Sequence, residues 1–309
     1  MAEEQSPEML KEIGEFESVS MEEAILILGE QTRMEIIVEL GKAWDEDQHQ
    51  QQKLRFSELM EAVGLADSGQ FNYHLDKLVG SFVAKSDDGY WLPNPGMKLY
   101  RLIVSGTVTE RGIREDIDVD DCPSCGGTVR ATYRNDNALM FSCKDCTTGY
   151  AVIPFSPRGF TNRTDDEALQ AAFRSFYSEL RLARQGICPA CDGDVETKLV
   201  DDLSEGLDSL SVGGVISSLK CSFCNNYYYS DLSSVALTTD EVRRFLLDSG
   251  LEPPLVREWH DVTVAADESV TVVEEDPLRV EITFAVEDET IDVMFDSEHQ
   301  VVSSTRSVE

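Results

Sequence analysis

The sequence predicts an α+β chain of several domains, and three observations carry that prediction. Residues 19–106 hold a series of helix-capping signals that ends in a hairpin step. All eight cysteines fall in C-x2-C pairs, and residues 262–305 alternate apolar and polar positions between acidic turns. At 309 residues the chain is also longer than one hydrophobic core usually serves.

The net charge is −33, from 59 acidic and 26 basic residues, although 41% of the chain is hydrophobic. The acid is spread through periodic segments, which excludes disorder for all but a flexible acidic tail over residues 1–18. A solvated acidic surface of this kind suits a protein adapted to high salt, where charge is screened. No run of 18 apolar residues occurs and the N-terminal residues are acidic, so neither a membrane span nor a secretory leader is expected and a cytoplasmic location is.

Residues 19–106 read as one domain. Ser20 and Glu23 fit a capping box that opens a helix with Ala24, Ile25 and Leu28. Thr32 and Glu35 repeat the device before Ile36, Ile37 and Leu40, and this second helix should end between Gly41 and Trp44. The polar stretch 45–53 predicts a loop. Phe56 starts a third helix stopped by Gly64, and Asp67 caps a fourth that runs to about Val79. Two short helices joined by Gly64-Leu65-Ala66 make a helix-turn-helix. Strands over 82–85 and 90–92 flank Asp87-Asp88-Gly89 and form a wing, and Asn94-Pro95 supplies a cap and a first-position proline for a helix through Met97, Tyr100, Ile103 and Val104, the expected homodimer surface.

On the fourth helix Phe71, Leu75 and Leu78 form the one apolar stripe and must face the core. The opposite face carries Gly69, Gln70, Tyr73, Asp76 and Lys77, with Asn72 and His74 at its borders. Gln can bond an adenine edge at two points, Lys can reach guanine or phosphate, and a glycine lets the backbone approach closely. Ser68, Gly69, Gln70, Asn72, Tyr73, Lys77 and, on the wing, Lys85 are therefore the expected contacts to double-stranded DNA, with Lys53 and Arg55 as further phosphate contacts. A merely solvated helix face would look the same, and His74 reads as a partly buried helix residue before a base reader. Residues 20–106 hold 8 basic and 14 acidic side chains, a net of −6, so at molar salt base edges, shape and direct hydrogen bonds must carry binding.

The runs ILGEQTRMEIIVEL and FSELMEAVGLADSGQFNYHLDKLVGSFVAKSDDGYWL resemble the ArsR-like winged-helix repressors, in their A-L-x-x-x-x-R-x-x-I-L entry and in the H-L-x-x-L signature carried by His74, Leu75 and Leu78. The resemblance implies a winged-helix fold and DNA binding through the fourth helix. Two departures bear on it: this segment has no cysteine, so metal sensing is not implied, and its wing carries Asp87 and Asp88 where the family's is often basic. Over nearly the whole chain the likeness is to haloarchaeal ArsR-like proteins in which the winged helix precedes cysteine-pair modules.

The cysteines pair as Cys122/Cys125, Cys143/Cys146, Cys188/Cys191 and Cys221/Cys224. An even count permits disulfides, but those belong to small oxidised secreted domains, and a redox C-x2-C occurs singly. Pairs that come in twos predict zinc, at two structural sites, because four thiolates leave no open coordination place. Four pairs can join in three ways; neighbours in sequence close the shortest loops. Residues 118–156 form the first zinc-ribbon-like module, its pairs 17 residues apart with strands over 128–133 and 138–142. Residues 164–185 form a bridging helix with Ala168, Ala172, Phe176 and Leu180 on one face, a spacer or a dimer element. Residues 186–232 form the second module, with 29 residues between its pairs that predict a loop or short helix, and a strand over 227–229 that serves strand packing or a stacking surface for single strands. Residues 238–309 hold a helix over 239–247, a break at Pro253-Pro254, and an antiparallel β-meander over 262–264, 269–273, 280–286, 290–295 and 301–305, an effector or partner surface.

The expected function is that of a homodimeric DNA-binding transcriptional regulator with structural zinc in its C-terminal half. The rival is a protein-interaction adaptor that docks on transcription machinery, favoured by the charge of −33 and the acidic wing. An enzyme is not expected: His49, His74, His260 and His299 are scattered, and no phosphate loop or dinucleotide fingerprint occurs.

Overall fold

The computed structural model describes residues 18–45, 50–112, 114–122, 124–146, 148–200, 215–251, 263–264 and 270–308. The chain divides into two compact units, Met1–Glu110 and Arg111–Glu309. The acidic tail expected over 1–18 lies outside the described residues but for its last residue, and so does Pro253-Pro254. No helix among the described residues is long and apolar enough to cross a membrane.

In the first unit, α1 (Met21–Leu28) opens on the expected box, with the Ser20 hydroxyl accepting from the Glu23 amide and the Glu23 carboxylate accepting from the Ser20 amide. α2 (Gln31–Lys42) begins earlier than expected. Its cap is Glu30, whose carboxylate accepts from the Arg33 amide at 3.1 Å, and Thr32 lies inside the first turn. The stretch expected as a loop instead pairs β1 (Trp44–Asp45) with β2 (Gln50–Gln51). α3 (Phe56–Val63) ends on Gly64 at φ 76°, the left-handed conformation that favours glycine. α4 (Ser68–Leu78) follows, capped by Asp67.

β3 (Ala84–Ser86) and β4 (Gly89–Trp91) then pair across the two aspartates 87 and 88. Leu54 exchanges both backbone hydrogen bonds with Tyr90 and so extends this hairpin by one residue. Gly89, at φ 142°, lies where a Cβ would meet the Leu54 carbonyl oxygen at 2.5 Å. α5 (Asn94–Val104) starts one residue before Pro95, so Asn94 is its first residue and Pro93, which offers no side-chain oxygen, stands at the cap. Ile36, Ile37, Leu40, Leu59, Phe71, Leu75, Leu78 and Val83 make the buried core of the unit.

The second unit begins with a four-stranded antiparallel meander, β5 (Ile117–Asp121), β6 (Thr128–Tyr133), β7 (Ala138–Cys143) and β8 (Gly149–Pro154). The two middle strands are those expected; β5 and β8 flank them. After a 3-10 turn at Pro157–Phe160 comes α6 (Asp165–Arg184), capped by Thr164 and Glu167. The apolar stripe of α6 is covered within the unit. Ala168, Leu169, Ala172 and Phe173 pack on Val129, Leu139 and Phe141 of the meander, while Leu180 and Ala183 pack on Leu219 and Val235 farther along.

β9 (Val195–Val200), β10 (Ile216–Cys221) and β11 (Tyr227–Ser230) form a second antiparallel sheet with β10 in the middle. The loop or short helix expected between the second module's cysteine pairs is strand at both ends, and residues 201–214 lie outside the described ones. α7 (Leu232–Ala236), which the sequence reading does not anticipate, and α8 (Asp240–Asp248) lead to the last sheet. There β12 (Thr263–Val264) and β13 (Val270–Glu275) both pair with β14 (Leu278–Val286), which continues through β15 (Glu289–Asp296) to β16 (Val301–Val308). Val242, Phe245 and Leu246 of α8 cover Val280, Ile282, Phe284, Val293 and Phe295, and Leu199 and Leu232 join the same core. The segments 118–156, 164–185, 186–232 and 238–309 thus share continuous packing within the unit Arg111–Glu309.

Candidate metal centres and nucleic-acid interface

Each four-cysteine group is built from two turns at the ends of strands. Cys122 follows β5, and the chain reverses so that the Gly126 amide donates to the Cys122 carbonyl at 2.8 Å, with Gly126 at φ 73°. Cys143 ends β7, and its sulfur accepts from the amides of Asp145 and Cys146 at 3.3 and 3.4 Å. The β6–β7 pairing brings the two turns together: Cys122 and Cys146 sulfurs lie 3.7 Å apart, those of Cys125 and Cys143 3.6 Å.

The second group repeats the plan. Asp192 takes the left-handed turn position at φ 61° and its amide donates to the Cys188 carbonyl at 2.9 Å. Cys221 ends β10 and accepts from the amides of Phe223 and Cys224 at 3.4 and 3.5 Å. Sulfur separations are 3.6 Å for Cys188–Cys224 and 3.7 Å for Cys191–Cys221.

Of the three ways to join four pairs, the structure has the sequence-neighbour one. Within each group all four sulfurs lie within 4.8 Å of one another. Four sulfurs at about 2.3 Å from a central ion in a tetrahedron are about 3.8 Å apart. The separations fit that geometry, so each group could hold a metal ion with no ligand position left open.

The surroundings divide the sulfurs: those of Cys122, Cys146, Cys188 and Cys221 favour the thiolate, whereas at Cys125 and Cys191 the lowering effect of the amides of Gly127 and Gly193 is outweighed by the neighbouring cysteine sulfurs, which push the pKa up to about 12. Burial disfavours a charge on Cys122, but the Tyr150 hydroxyl, 2.8 Å from its sulfur, and the amides of Ser124 and Cys125 outweigh this and bring its pKa down to about 6. Cys188 is likewise opposed by burial and lowered to about 7 by the amides of Ala190 and Cys191. At Cys146 the hydroxyl and amide of Thr148 lower the pKa. Tyr150 and Thr148 carry no motif signal beyond their positions four and two residues past Cys146.

The residues expected at DNA lie as follows. Ser68, Gly69, Gln70, Asn72, Tyr73, Asp76 and Lys77 are all exposed on α4, while Phe71, Leu75 and Leu78 are fully buried. Asp67 fixes the first turn of this face by accepting from the amides of Gly69 at 2.8 Å and Gln70 at 2.9 Å. Tyr73 is 59% exposed with the Lys77 ammonium 5.8 Å from its ring, and Asn72 donates to Asp76 at 2.7 Å. His74 is not at the border of the face. It is buried on the core side, its Nδ1 3.1 Å from a Glu30 carboxylate oxygen. Lys85 is exposed on β3, Arg55 is exposed at the start of α3, and Lys53 lies over the Trp91 ring and 3.9 Å from Asp88.

Two families match the chain. Residues 21–103 match the one described as Domain of unknown function (DUF7347), and residues 119–301 match the one described as Domain of unknown function (DUF7351). No curated protein matches the chain. The second match takes in both four-cysteine groups, α6 and the last sheet up to the start of β16, more than half of the 309 residues, and on that ground the chain belongs to the family of Domain of unknown function (DUF7351).

Proposed function

We propose that the protein is a DNA-binding transcriptional regulator whose first unit is a winged helix-turn-helix and whose second unit holds two structural zinc ions. The observation that carries this reading is the split surface of α4: a fully buried stripe of Phe71, Leu75 and Leu78 opposite an exposed one of Gly69, Gln70, Tyr73 and Lys77. A helix so mounted, preceded by α3 and followed by the β3–β4 hairpin, presents side chains that can bond base edges in a major groove. The likeness to the ArsR-like repressors over the same residues supports it. Exposed Met21, Ile25 and Leu26 on α1 and Leu102 on α5 support a homodimer, since an apolar surface of this kind is one a second copy would cover.

The all-sulfur donor sets with tetrahedral spacing favour zinc in the two groups. Cys122, Cys125, Cys143 and Cys146 hold one ion, and Cys188, Cys191, Cys221 and Cys224 the other. Zinc there ties strand ends together and stabilises the fold.

Selection from a pool of random duplexes in molar potassium chloride tests the reading. Enrichment of one motif, abolished by Gln70→Ala/Tyr73→Ala, is the expected result. The absence of any enriched motif with both metal groups filled would favour an adaptor that docks on proteins, a reading that Asp76 on the exposed face and Asp87 and Asp88 at the hairpin tip support.

A further inference from the structure

The three tyrosines of β11 do not share one environment. Tyr228 points inward, its hydroxyl donating to Glu179 of α6 at 2.7 Å, alongside buried Leu219 and Cys221 of β10. Tyr227 and Tyr229 point the other way and are 61% and 42% exposed, with ring centroids 5.3 Å apart. The strand register sets two rows across that outer face: Glu196, Lys220 and Tyr227 in one, Lys198, Ser218 and Tyr229 in the next. At the end of β10, in the turn between Cys221 and Cys224, Phe223 is 83% exposed.

We propose that this outer face of the β9–β10–β11 sheet binds single-stranded nucleic acid, with bases stacked on Tyr227 and Tyr229 and the backbone held by Lys198 and Lys220. Charge decides the occupant. In a chain of net charge −33, these two rows carry two lysines and one glutamate; Lys198 lies 3.5 Å from Glu196, and Lys220 leaves the face with a local excess of one positive charge beside bare aromatic rings. A polyanion with flat apolar faces complements both features. A duplex hides its base faces inside the stack, whereas an unpaired strand offers them to the rings. Stacking is also insensitive to ionic screening, so it survives where long-range attraction does not. The face belongs to the second unit and is independent of the reading of α4.

The test uses the full-length, metal-loaded protein in molar potassium chloride with fluorescein-labelled oligo-dT and oligo-rU about twenty nucleotides long and a duplex of equal length. The expected result is binding of a single strand in preference to duplex, with the tighter of the two strands telling DNA from RNA. Tyr227→Ala/Tyr229→Ala should weaken it by at least about fivefold for each ring removed. Lys220→Glu should weaken it too, Tyr227→Phe/Tyr229→Phe should keep it, and Gln70→Ala/Tyr73→Ala should leave it unchanged. Unaltered metal content in each variant shows that the sheet is intact. No binding of either strand, or binding that both Tyr227→Ala/Tyr229→Ala and Lys220→Glu retain, overturns the proposal. So does a shift of the double alanine variant from dimer to monomer with strand binding intact, which would make the face a contact between copies.

Discussion

The Tyr150 hydroxyl lies 2.8 Å from the sulfur of Cys122 and, at 3.3 Å, beside the Ser124 hydroxyl. A hydroxyl donating to a thiolate fixes its orientation and spreads its charge, and the loss of such a partner typically lowers metal affinity about 10- to 100-fold. Tyr150→Phe should therefore release metal from the first group to a competing chelator at concentrations at least about tenfold lower, with the second group unchanged. Equal release from both groups in the variant and the parent protein would mean that the contact does nothing for the metal.

His299 gives a pH dependence. The residue is fully buried in the turn between β15 and β16, and neither ring nitrogen has a hydrogen-bond partner among the described residues. Burial, with the charge of Arg184 adding to it, lowers its pKa from 6.5 to about 4. The unfolded chain then takes up the proton more readily than the folded one. The stability contributed by the neutral ring is complete above pH 6.5 and is lost as the pH falls from there to about 4, by about 3 kcal/mol. Urea unfolding of His299→Asn across this range should show a shallower fall with acid than the parent protein; parallel curves would contradict it.

Asp67 accepts two amide hydrogen bonds at the start of α4. Asp67→Ala should cost about 1 kcal/mol of first-unit stability. It should also increase hydrogen exchange at the amides of Gly69 and Gln70, ahead of any change elsewhere in the helix. Exchange unchanged at those two amides would show that the turn holds without its cap.

Phe141 is fully buried between the first meander and α6, its ring 4.9 Å from that of Phe173. Phe141→Ala should destabilise the second unit by about 3–5 kcal/mol, read from chemical denaturation. A loss below about 1 kcal/mol would mean that the α6 packing closes over the gap.

Much of the fold was legible because it is written in local signals. The Ser20/Glu23 box, the glycine stop at Gly64, the Asp67 cap and the stripe of Phe71, Leu75 and Leu78 act within a few residues of themselves. Thr32 misled for the opposite reason: it had the right type and spacing, but Glu30 reached the free amide first. β5 and β8 were missed since their burial comes from pairing with β6 and β7, which no local pattern reports. α7, five residues long, has too few turns to show a period. At the four-cysteine groups the ligands were legible and their hydroxyl partners were not, because Tyr150 on β8 reaches the Cys122 sulfur after β5 through the pairing of β5, β6, β7 and β8 in one sheet and not through sequence spacing.

α6 is 20 residues, about 30 Å of rise, and its two halves lie in different cores, the first sheet's at one end and the second sheet's at the other. A helix fixed at both ends acts as a ruler. The halves meet at Phe176 and Tyr177, which pack against both cores, so loosening one half removes packing from the residues that serve the other. Extraction of one ion should then be felt at the other as a loss of protection, and a single break in the middle of the rod, at the turn around Phe176, would uncouple the cages while leaving each intact.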